Sequence, residues 1–404
     1  MCKIHVVDSI MGSGKTSAAI NKMNSDTQNK YIFITPYLDE VQRIIDNCEE
    51  KHFIQPEHKG KGKLDSLHYL LGNKYNIAST HALFQHYNSY TKDLLVQGDY
   101  ILILDEVCQV VEIIDLSKSD LDNILNNHAH VEDNLLIWDD KDYDGRYNDI
   151  KTMSLNKSLV VFGHSLIMWN FPVDIFKSFK EAYILTYMFK AQQQKYYYDF
   201  YNVQYEYIGV KNDNGFYSFS NELNTPDYVY DLKNKIQILQ DDKLNSIGGD
   251  YYNLSSSWFD RDKNTRNKFL LKTLKKNITN YFTNKVKSSS SETMWTTFKD
   301  HKNYLSGKGY TKGFVSVNAR ATNEFRDKKN LVYCANIFLN PIIKQFFQTK
   351  DIKIYEEMYA LSELVQWVWR SAIRDGKEIN IYIPSSRMRN LLIEWLGKLE
   401  KENI

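Results

Sequence analysis

The feature that most constrains this chain is its first sixteen residues, MCKIHVVDSIMGSGKT. Residues 3–8 form a short apolar run that predicts a buried strand, and residues 17–23 predict a helix. Between them, Ser9–Thr16 matches the phosphate-loop consensus GxxxxGK[ST] at its last three positions, with Ser9 in place of the first glycine. A strand, a glycine-rich loop and a helix in this order turn consecutive backbone N–H groups towards phosphate oxygens. The sequence therefore predicts a phosphate-binding loop; the alternative is an ordinary Gly-Ser turn.

The residues of this loop have distinct predicted roles. Lys15 adds a positive charge at the β- and γ-phosphates of a nucleotide, and the Thr16 hydroxyl can ligate Mg²⁺. Gly12 keeps the tip of the loop permissive although Ser9 replaces a glycine. The candidate nucleotide-binding residues are Gly12, Ser13, Gly14, Lys15, Thr16 and Ser17.

A second predicted strand ends in two acids. Residues 100–104 are a tyrosine followed by four aliphatic residues, and Asp105 and Glu106 come next. A buried strand that delivers two carboxylates suits the metal side of a site that hydrolyses nucleoside triphosphates. We predict that Asp105 holds Mg²⁺, directly or through water, and that Glu106 orients and deprotonates the attacking water.

Two further strand ends are candidates for ligand contact. Thr35-Pro36 follows the apolar residues 31–34, and Thr80-His81 follows another short apolar run. Both would lie at the carboxyl edge of a parallel sheet, where ligands bind, unless they are plain turns. Residues 159–162 and 182–185 predict two more strands of this sheet, and the acidic residues 115–149 predict a solvated insertion or loop.

The composition, 43% hydrophobic and 25% charged residues, is typical of a globular protein. No apolar run is long enough for a transmembrane span, and we see no export signal. The cysteines are far apart in the sequence, so we expect reduced thiols and a cytoplasmic protein. The net charge of +1 means that any nucleic-acid surface must be local.

The second half of the chain begins with a tyrosine-rich and then a basic segment. Residues 192–252 carry many tyrosines and turn signals, and the tyrosines could stack bases or form a half-buried strand surface. Residues 266–312 are rich in lysine and begin as an amphipathic helix, which favours phosphodiester contact over a merely solubilising surface. Residues 313–317 and 331–334 predict strands.

Residues 360–374 predict a helix with one apolar face and one polar face. Gln366, Arg370 and Arg374 are spaced four apart on the polar face. Such an arginine face can reach across a cleft between domains to a γ-phosphate whose charge grows during transfer. We predict that Arg370 is the arginine finger; the alternative is an ordinary charged surface helix.

In this order and spacing the segments resemble the motifs of superfamily 2 helicases. The strings GSGKT, LDEV and QWVWR are similar to those of small helicase-type proteins of phages and mobile elements of Gram-positive bacteria. The resemblance implies ATP and Mg²⁺ as cofactors, a catalytic role for Gln366 beside the arginines, and single-stranded or forked DNA as the partner. It implies nucleic-acid contacts from Thr35, Pro36, Thr80, His81, Lys299, Arg320, Thr322 and Asn323.

The expected fold class is α/β, with two RecA-like domains and a nucleotide cleft between them. We place the N-terminal ATP-binding domain at 1–190, with the acidic insertion at about 115–150, a linker and partly β entry at 191–265, and the C-terminal helicase domain at 266–404. The preferred function is an ATP-dependent nucleic-acid helicase or translocase that acts on DNA in phage or mobile-element replication or recombination, together with partner proteins of those processes. The alternative is an ATP-dependent remodeller or recombination mediator that does not separate strands. The residues do not choose between DNA and RNA, and a small-molecule kinase would leave Asp105-Glu106 and Arg370 unexplained.

Overall fold

The computed structural model describes residues 2–58, 62–163, 166–317 and 324–399. Within these residues the chain forms sixteen strands and seventeen α-helices. The strands are β1 (Lys3–Asp8), β2 (Lys30–Thr35), β3 (Ile77–Thr80), β4 (Tyr100–Asp105), β5 (Val111–Ile114), β6 (Ala129–Glu132), β7 (Leu135–Trp138), β8 (Leu159–Phe162), β9 (Leu166–Asn170), β10 (Glu181–Thr186), β11 (Tyr205–Asp213), β12 (Phe216–Ser220), β13 (Ile236–Ile238), β14 (Thr293–Thr296), β15 (Asn330–Tyr333) and β16 (Ile379–Tyr382).

The helices connect these strands and cover the faces of the parallel sheets. They are α1 (Lys15–Ser25), α2 (Leu38–Asn47), α3 (Lys63–Gly72), α4 (His81–Phe84), α5 (Ser89–Gly98), α6 (Lys118–Asn127), α7 (Asn148–Leu155), α8 (Val173–Lys177), α9 (Gln193–Phe200), α10 (Leu232–Lys235), α11 (Asp242–Asn245), α12 (Ser256–Lys263), α13 (Phe269–Asn280), α14 (Lys302–Leu305), α15 (Pro341–Gln348), α16 (Glu356–Val368) and α17 (Ser386–Leu399). No helix of the described residues is long and apolar enough to cross a membrane.

The chain divides into two compact units. Unit 1 contains the residues up to Asn224 together with Asn340–Ile354, and unit 2 contains Thr225–Leu339 together with the residues from Tyr355 onwards. The α/β fold class is confirmed, because each unit contains a mainly or wholly parallel sheet with helices along it. The tyrosine-rich region predicted as a linker is divided between the units, since its residues up to Asn224 pack in unit 1.

The main sheet of unit 1 has the strand order β12-β11-β1-β10-β4-β2-β3. All neighbouring strands run parallel except β12, which pairs antiparallel with β11. Strands β1, β2, β4 and β10 are buried along nearly their whole length. Their continuous apolar runs fit strands that are covered on both faces, which is why the sequence predicted them correctly.

The acidic segment, predicted as a solvated insertion or loop, contains α6, β6 and β7 between β4 and β10 of the main sheet. It belongs to a separate five-stranded antiparallel sheet with the order β5-β9-β8-β7-β6. The prediction that residues 159–162 extend the parallel sheet is wrong, because β8 pairs antiparallel with β9. The burial of β8 alternates along the strand, as it does when only one face of a sheet is covered. All four residues of β8 are apolar, so the sequence does not show this alternation.

The sheet of unit 2 has the order β13-β16-β15-β14, and all of its pairs are parallel. The strand predicted at 331–334 is present as β15, whereas residues 313–317 make only an isolated bridge between Phe314 and Trp295. The Val315 carbonyl accepts a hydrogen bond from the indole N–H of Trp367 at 3.3 Å.

The helix predicted at 360–374 ends earlier than expected. Helix α16 stops at Val368, and residues 372–375 form a separate 3-10 turn. The Ser371 backbone is extended, and its hydroxyl donates to the Val368 carbonyl at 2.7 Å. The Ser371 N–H donates to the same carbonyl at 3.1 Å, so both groups of Ser371 bond to the end of the helix. Arg370 and Arg374 therefore do not continue the helical face of Gln366.

Candidate nucleotide-binding site

The phosphate loop joins β1 to α1 through two glycines in the left-handed region. Gly12 has φ 84° and Gly14 has φ 87°, and Gly14 is the residue that precedes the first turn of α1. The Gly14 carbonyl accepts the first helical hydrogen bond, from Ala18 N at 2.8 Å. Glycine tolerates these backbone angles, whereas a side chain would be strained there. The local sequence thus produces the loop and the helix start that the motif predicts.

The side chain of Lys15 is partly exposed and folds back onto the loop. Its Nζ donates to the carbonyl oxygens of Ser9 at 2.6 Å and Ile10 at 3.1 Å. Burial lowers the pKa of Lys15, and attraction from Glu106, Asp105 and Asp8, in that order, opposes the change. Asp8 ends β1, Asp105 ends β4 and Glu106 follows directly, so the three attracting carboxylates lie at the ends of two strands of the main sheet.

The residues of the loop fit a bound phosphate. Ser13 is buried, and within the described residues its hydroxyl has no hydrogen-bond partner. A buried hydroxyl without a partner costs free energy, so a ligand oxygen at this position would be favoured. Thr16 and Ser17 follow in the first turn of α1 and are partly exposed.

The strand register brings the predicted residues to one edge of the main sheet. Asp8 of β1 pairs with Thr186 of β10, and Leu185 pairs with Asp105 of β4. On the far side, Thr35 of β2 pairs with Thr80 of β3. These residues all end parallel strands, and the carboxyl edge of such a sheet is where ligands bind.

Asp105 is the most strongly perturbed acid at this edge. Burial raises its pKa to about 7, repulsion from Glu106 and Glu40 adds to the change, and Lys15 acts against it. A carboxylate that is buried beside other carboxylates is a favourable ligand for a divalent cation, because the cation removes the repulsion. The donor set at Asp105 and the Thr16 hydroxyl fits Mg²⁺, which prefers a few protein oxygens together with phosphate oxygens.

Glu106 has an unusual backbone conformation. Its φ is 64°, and its N–H donates to the Leu185 carbonyl at 2.9 Å. A residue with a side chain pays of order 1 kcal/mol or more to adopt this conformation, and such residues cluster at functional sites. The hydrogen bond joins the turn after β4 to β10 and fixes the backbone of Glu106 in that turn.

His81, a predicted nucleic-acid contact, hydrogen-bonds the backbone at Asp105. Its Nε2 is 2.9 Å from the Asp105 backbone carbonyl oxygen, so Nε2 carries a proton and donates it there. Thr80 and Pro36 are partly exposed at the same edge, whereas Thr35 is fully buried. In this conformation Thr35 presents no surface to a ligand.

Asp8 is a residue of this site that the sequence analysis missed. Its carboxylate accepts from the backbone N–H groups of Met188 at 2.7 Å and Phe189 at 3.0 Å. Burial raises its pKa, and these two hydrogen bonds and Lys15 counteract the change. Asp8 thus connects the start of the phosphate loop to the segment after β10. The signal in the sequence was an acid at the end of a predicted strand, directly before the loop.

The remaining candidate residues belong to unit 2. Gln366 lies on α16 and is partly exposed, Arg370 follows the end of that helix and is buried, and Arg374 is exposed. Lys299 is exposed just after β14. The candidates Arg320, Thr322 and Asn323 lie outside the described residues.

Comparison with known proteins identifies the family. The "SPbeta prophage-derived uncharacterized protein YonV" of Bacillus subtilis (strain 168) is 47% identical over 412 residues, which covers 98% of this chain and 99% of that protein. The chain belongs to the YonV family. The YonV middle domain matches residues 111–169, which coincide with the antiparallel sheet from β5 to β9, and the YonV C-terminal Rossmann-like domain matches residues 230–396.

A solved structure, "Structure of S. tokodaii Xpd4", is also similar in fold. It has a TM-score of 0.48 and 11% sequence identity, and the match covers 97% of this chain and 94% of that chain. A likeness at this level has no bearing on the activity of the chain.

Proposed function

We propose that this YonV-family protein hydrolyses ATP and couples hydrolysis to movement along nucleic acid or to its unwinding, as a superfamily 2 helicase or translocase. One observation carries the proposal. The ammonium group of Lys15 lies in a loop of the phosphate-binding form and is attracted by Asp8, Asp105 and Glu106 at one edge of a parallel sheet. Phosphate binding, metal binding and activation of water each need one of these groups, and a purely structural turn needs none of them.

The residues of unit 1 would divide the chemistry among them. Lys15 and the loop N–H groups would bind the phosphates, and the Ser9 and Ile10 carbonyls hold the ammonium ready for them. Thr16 and Asp105 would hold Mg²⁺, which neutralises charge on the phosphates. Glu106 would orient the attacking water and accept its proton.

Unit 2 would supply the remaining groups. Arg370 would stabilise the charge that develops on the γ-phosphate, with Gln366 and Arg374 as its partners in the site. We expect Arg370→Ala to lower the turnover number by about 10³–10⁵-fold and to leave nucleotide binding in place, because an arginine finger acts on the transition state. Steady-state hydrolysis and equilibrium binding of ATP measure the two effects separately. Turnover equal to that of the parent would remove Arg370 from the proposal.

Nucleic acid is the proposed partner, and DNA is favoured because the 47% identical relative is derived from a prophage. Lys299 is exposed beside the end of β14 and would contact the phosphodiester backbone, as Pro36, Thr80 and His81 would in unit 1. Such contacts are electrostatic, so we expect the affinity to fall steeply with salt.

The proposal is tested by ATP hydrolysis with single-stranded DNA, double-stranded DNA and RNA in turn, at a stated salt concentration. We expect one nucleic acid to stimulate hydrolysis, Lys15→Ala to abolish it, and Lys30→Ala, which changes an exposed lysine at the start of β2, to have no effect. A strand-displacement assay runs beside it. Stimulated hydrolysis without displacement would replace the helicase with the remodeller or recombination mediator, and hydrolysis that does not depend on Lys15 would refute the site itself.

A further inference from the structure

A tyrosine that no sequence motif includes lies against the phosphate loop. A Cβ atom placed on Gly14 would lie 2.1 Å from Cδ1 and 2.3 Å from Cε1 of Tyr217. Distances this short mean that the ring of Tyr217 covers the Cα of Gly14 in van der Waals contact. The glycine before Lys15 is therefore needed for its φ of 87° and also for this close approach.

The ring of Tyr217 is held in place by its surroundings. Tyr217 lies on β12 and packs against the apolar core that also contains Ala18 and Ala19 of α1. Its backbone carbonyl accepts a hydrogen bond from the Asn21 side-chain amide at 2.9 Å. The strand and the helix are thus joined by apolar packing and by a hydrogen bond. A shift of the phosphate loop would have to move the ring or be resisted by it.

The other end of the same hairpin touches the segment that leaves unit 1. A Cβ atom placed on Gly209 of β11 would lie 2.2 Å from the Glu222 carbonyl oxygen and 3.1 Å from the Cα of Leu223. The backbone at these two residues therefore lies directly on β11. The chain passes into unit 2 at Thr225. The hairpin thus contacts the phosphate loop at one end and the connection to unit 2 at the other.

We propose that Tyr217 is a positioning residue for the phosphate loop, and that the β11–β12 hairpin transmits the state of this loop to the connecting residues 221–224. This inference rests on the proposed function, because it assumes that the loop binds a nucleotide. The ring restricts the loop to the binding form, so that less of the binding energy is spent on ordering it. A bound nucleotide restrains the loop and the ring packed on it further, and the paired strands carry that restraint to Gly209.

The first experiment measures the affinity for a fluorescent ribose-labelled ATP with Mg²⁺ in the full chain. We expect Tyr217→Ala to weaken binding about tenfold, which corresponds to a tenfold smaller fraction of molecules with the loop in the binding form. Tyr217→Phe keeps the ring and restores binding to within about twofold. The matched control is Phe216→Ala, since Phe216 is the adjacent residue of β12 and is 59% exposed. Unchanged affinity in Tyr217→Ala would overturn the positioning role.

The second experiment measures amide hydrogen exchange in peptides that cover residues 221–224, with and without saturating nucleotide. We expect the nucleotide to slow exchange in the parent and to have no effect there in Tyr217→Ala. Gly209→Ala should also abolish this response, because the added Cβ displaces the Glu222 carbonyl, and it should keep the parent affinity. Gly209→Ala provides the test if Tyr217→Ala does not fold.

The outcomes separate this inference from the proposed function. A nucleotide response in residues 221–224 that survives both substitutions would overturn the transmission. A parent protein that binds no nucleotide, or binds it equally well with Lys15→Ala, would refute the proposed function and this inference with it. Binding that needs Lys15 and ignores Tyr217 would refute only this inference.

Discussion

Glu106 has a backbone conformation that is rare for a residue with a side chain. Its backbone lies in the left-handed region at φ 64°, between a buried strand and the loop that follows it. Nothing in the residue type favours that conformation, because glutamate has a Cβ atom. The hydrogen bond from its N–H to Leu185 and the packing of β4 between its neighbours impose it. The protein tolerates a strained residue where the proposed function needs its carboxylate.

This strain makes a prediction for two substitutions at one position. We expect Glu106→Gly to have a free energy of unfolding about 1 kcal/mol higher than that of Glu106→Ala, because only glycine adopts the observed φ without strain. Both variants should lack ATP hydrolysis. Denaturant titration measures the difference in stability.

The control is the same pair of substitutions at Glu112, an exposed residue of β5. Within a strand, glycine lowers the stability of a protein by about 0.5–1 kcal/mol relative to alanine. At position 112 we therefore expect the alanine variant to be the more stable of the two. An alanine variant at position 106 that is as stable as the glycine variant would show that the backbone is not strained in solution.

At the scale of elements, Arg387 ties three parts of unit 2 together. It lies in the first turn of α17 and is buried. Its Nη1 donates to the Asn336 side chain and to the Ile337 carbonyl, both at 2.8 Å, and its Nε donates to Glu357 of α16. The guanidinium also stacks on Phe338, with its Cζ atom 4.2 Å from the ring centroid. One planar cation thus joins α16, α17 and the loop after β15.

We expect Arg387→Lys to lower the free energy of unfolding by about 2–4 kcal/mol, although the charge is kept. A lysine cannot reproduce the forked hydrogen bonds or the stacking, and it leaves buried acceptors without donors. Urea denaturation measures the loss, and Arg261→Lys on the exposed surface of α12 is the control. A loss below about 0.5 kcal/mol, the range of ordinary surface substitutions, would mean that these contacts contribute little to the stability of unit 2.

The two units of the molecule are not continuous in sequence. Residues 340–354 lie between two strands of unit 2, but they pack in unit 1. The ring of Phe346 in α15 stacks on that of Phe200 in α9, with 4.6 Å between the ring centroids. The ring centroids of Phe347 and Tyr196 are 5.8 Å apart. Lys350 adds a hydrogen bond to the Phe200 carbonyl at 3.0 Å. The apolar face of α15 completes the core of the first unit.

This arrangement predicts that a substitution within the C-terminal half will destabilise the N-terminal unit. Phe347 is fully buried, and we expect Phe347→Ala to cost about 3–5 kcal/mol through the cavity that it leaves. Amide hydrogen exchange should become faster in peptides of α9 and stay unchanged in peptides of β16. Phe269→Ala is the control, because that side chain is 68% exposed. Faster exchange in β16 than in α9 would contradict the assignment of α15 to unit 1.

Local sequence patterns determined much of this protein. Apolar runs predicted strands β1 and β4 and the helix after the phosphate loop. Residue types with special backbone angles predicted the glycines of that loop. The turn at Asn214-Gly215, which joins β11 to β12, follows in the same way. Each of these features depends on interactions between residues that are close in sequence or on burial of an entire strand.

Only the tertiary structure decided the features that depend on distant partners. The Asp8 carboxylate is fixed by the N–H groups of Met188 and Phe189, which lie about 180 residues further along the chain. Tyr217 reaches Gly14 because β12 pairs with β11 and β11 pairs with β1. β8 joins an antiparallel sheet because it pairs with β9, although its wholly apolar sequence also suits a strand of a buried parallel sheet. Such contacts join residues far apart in the chain, and their free energy depends on burial and geometry that residue types alone do not specify.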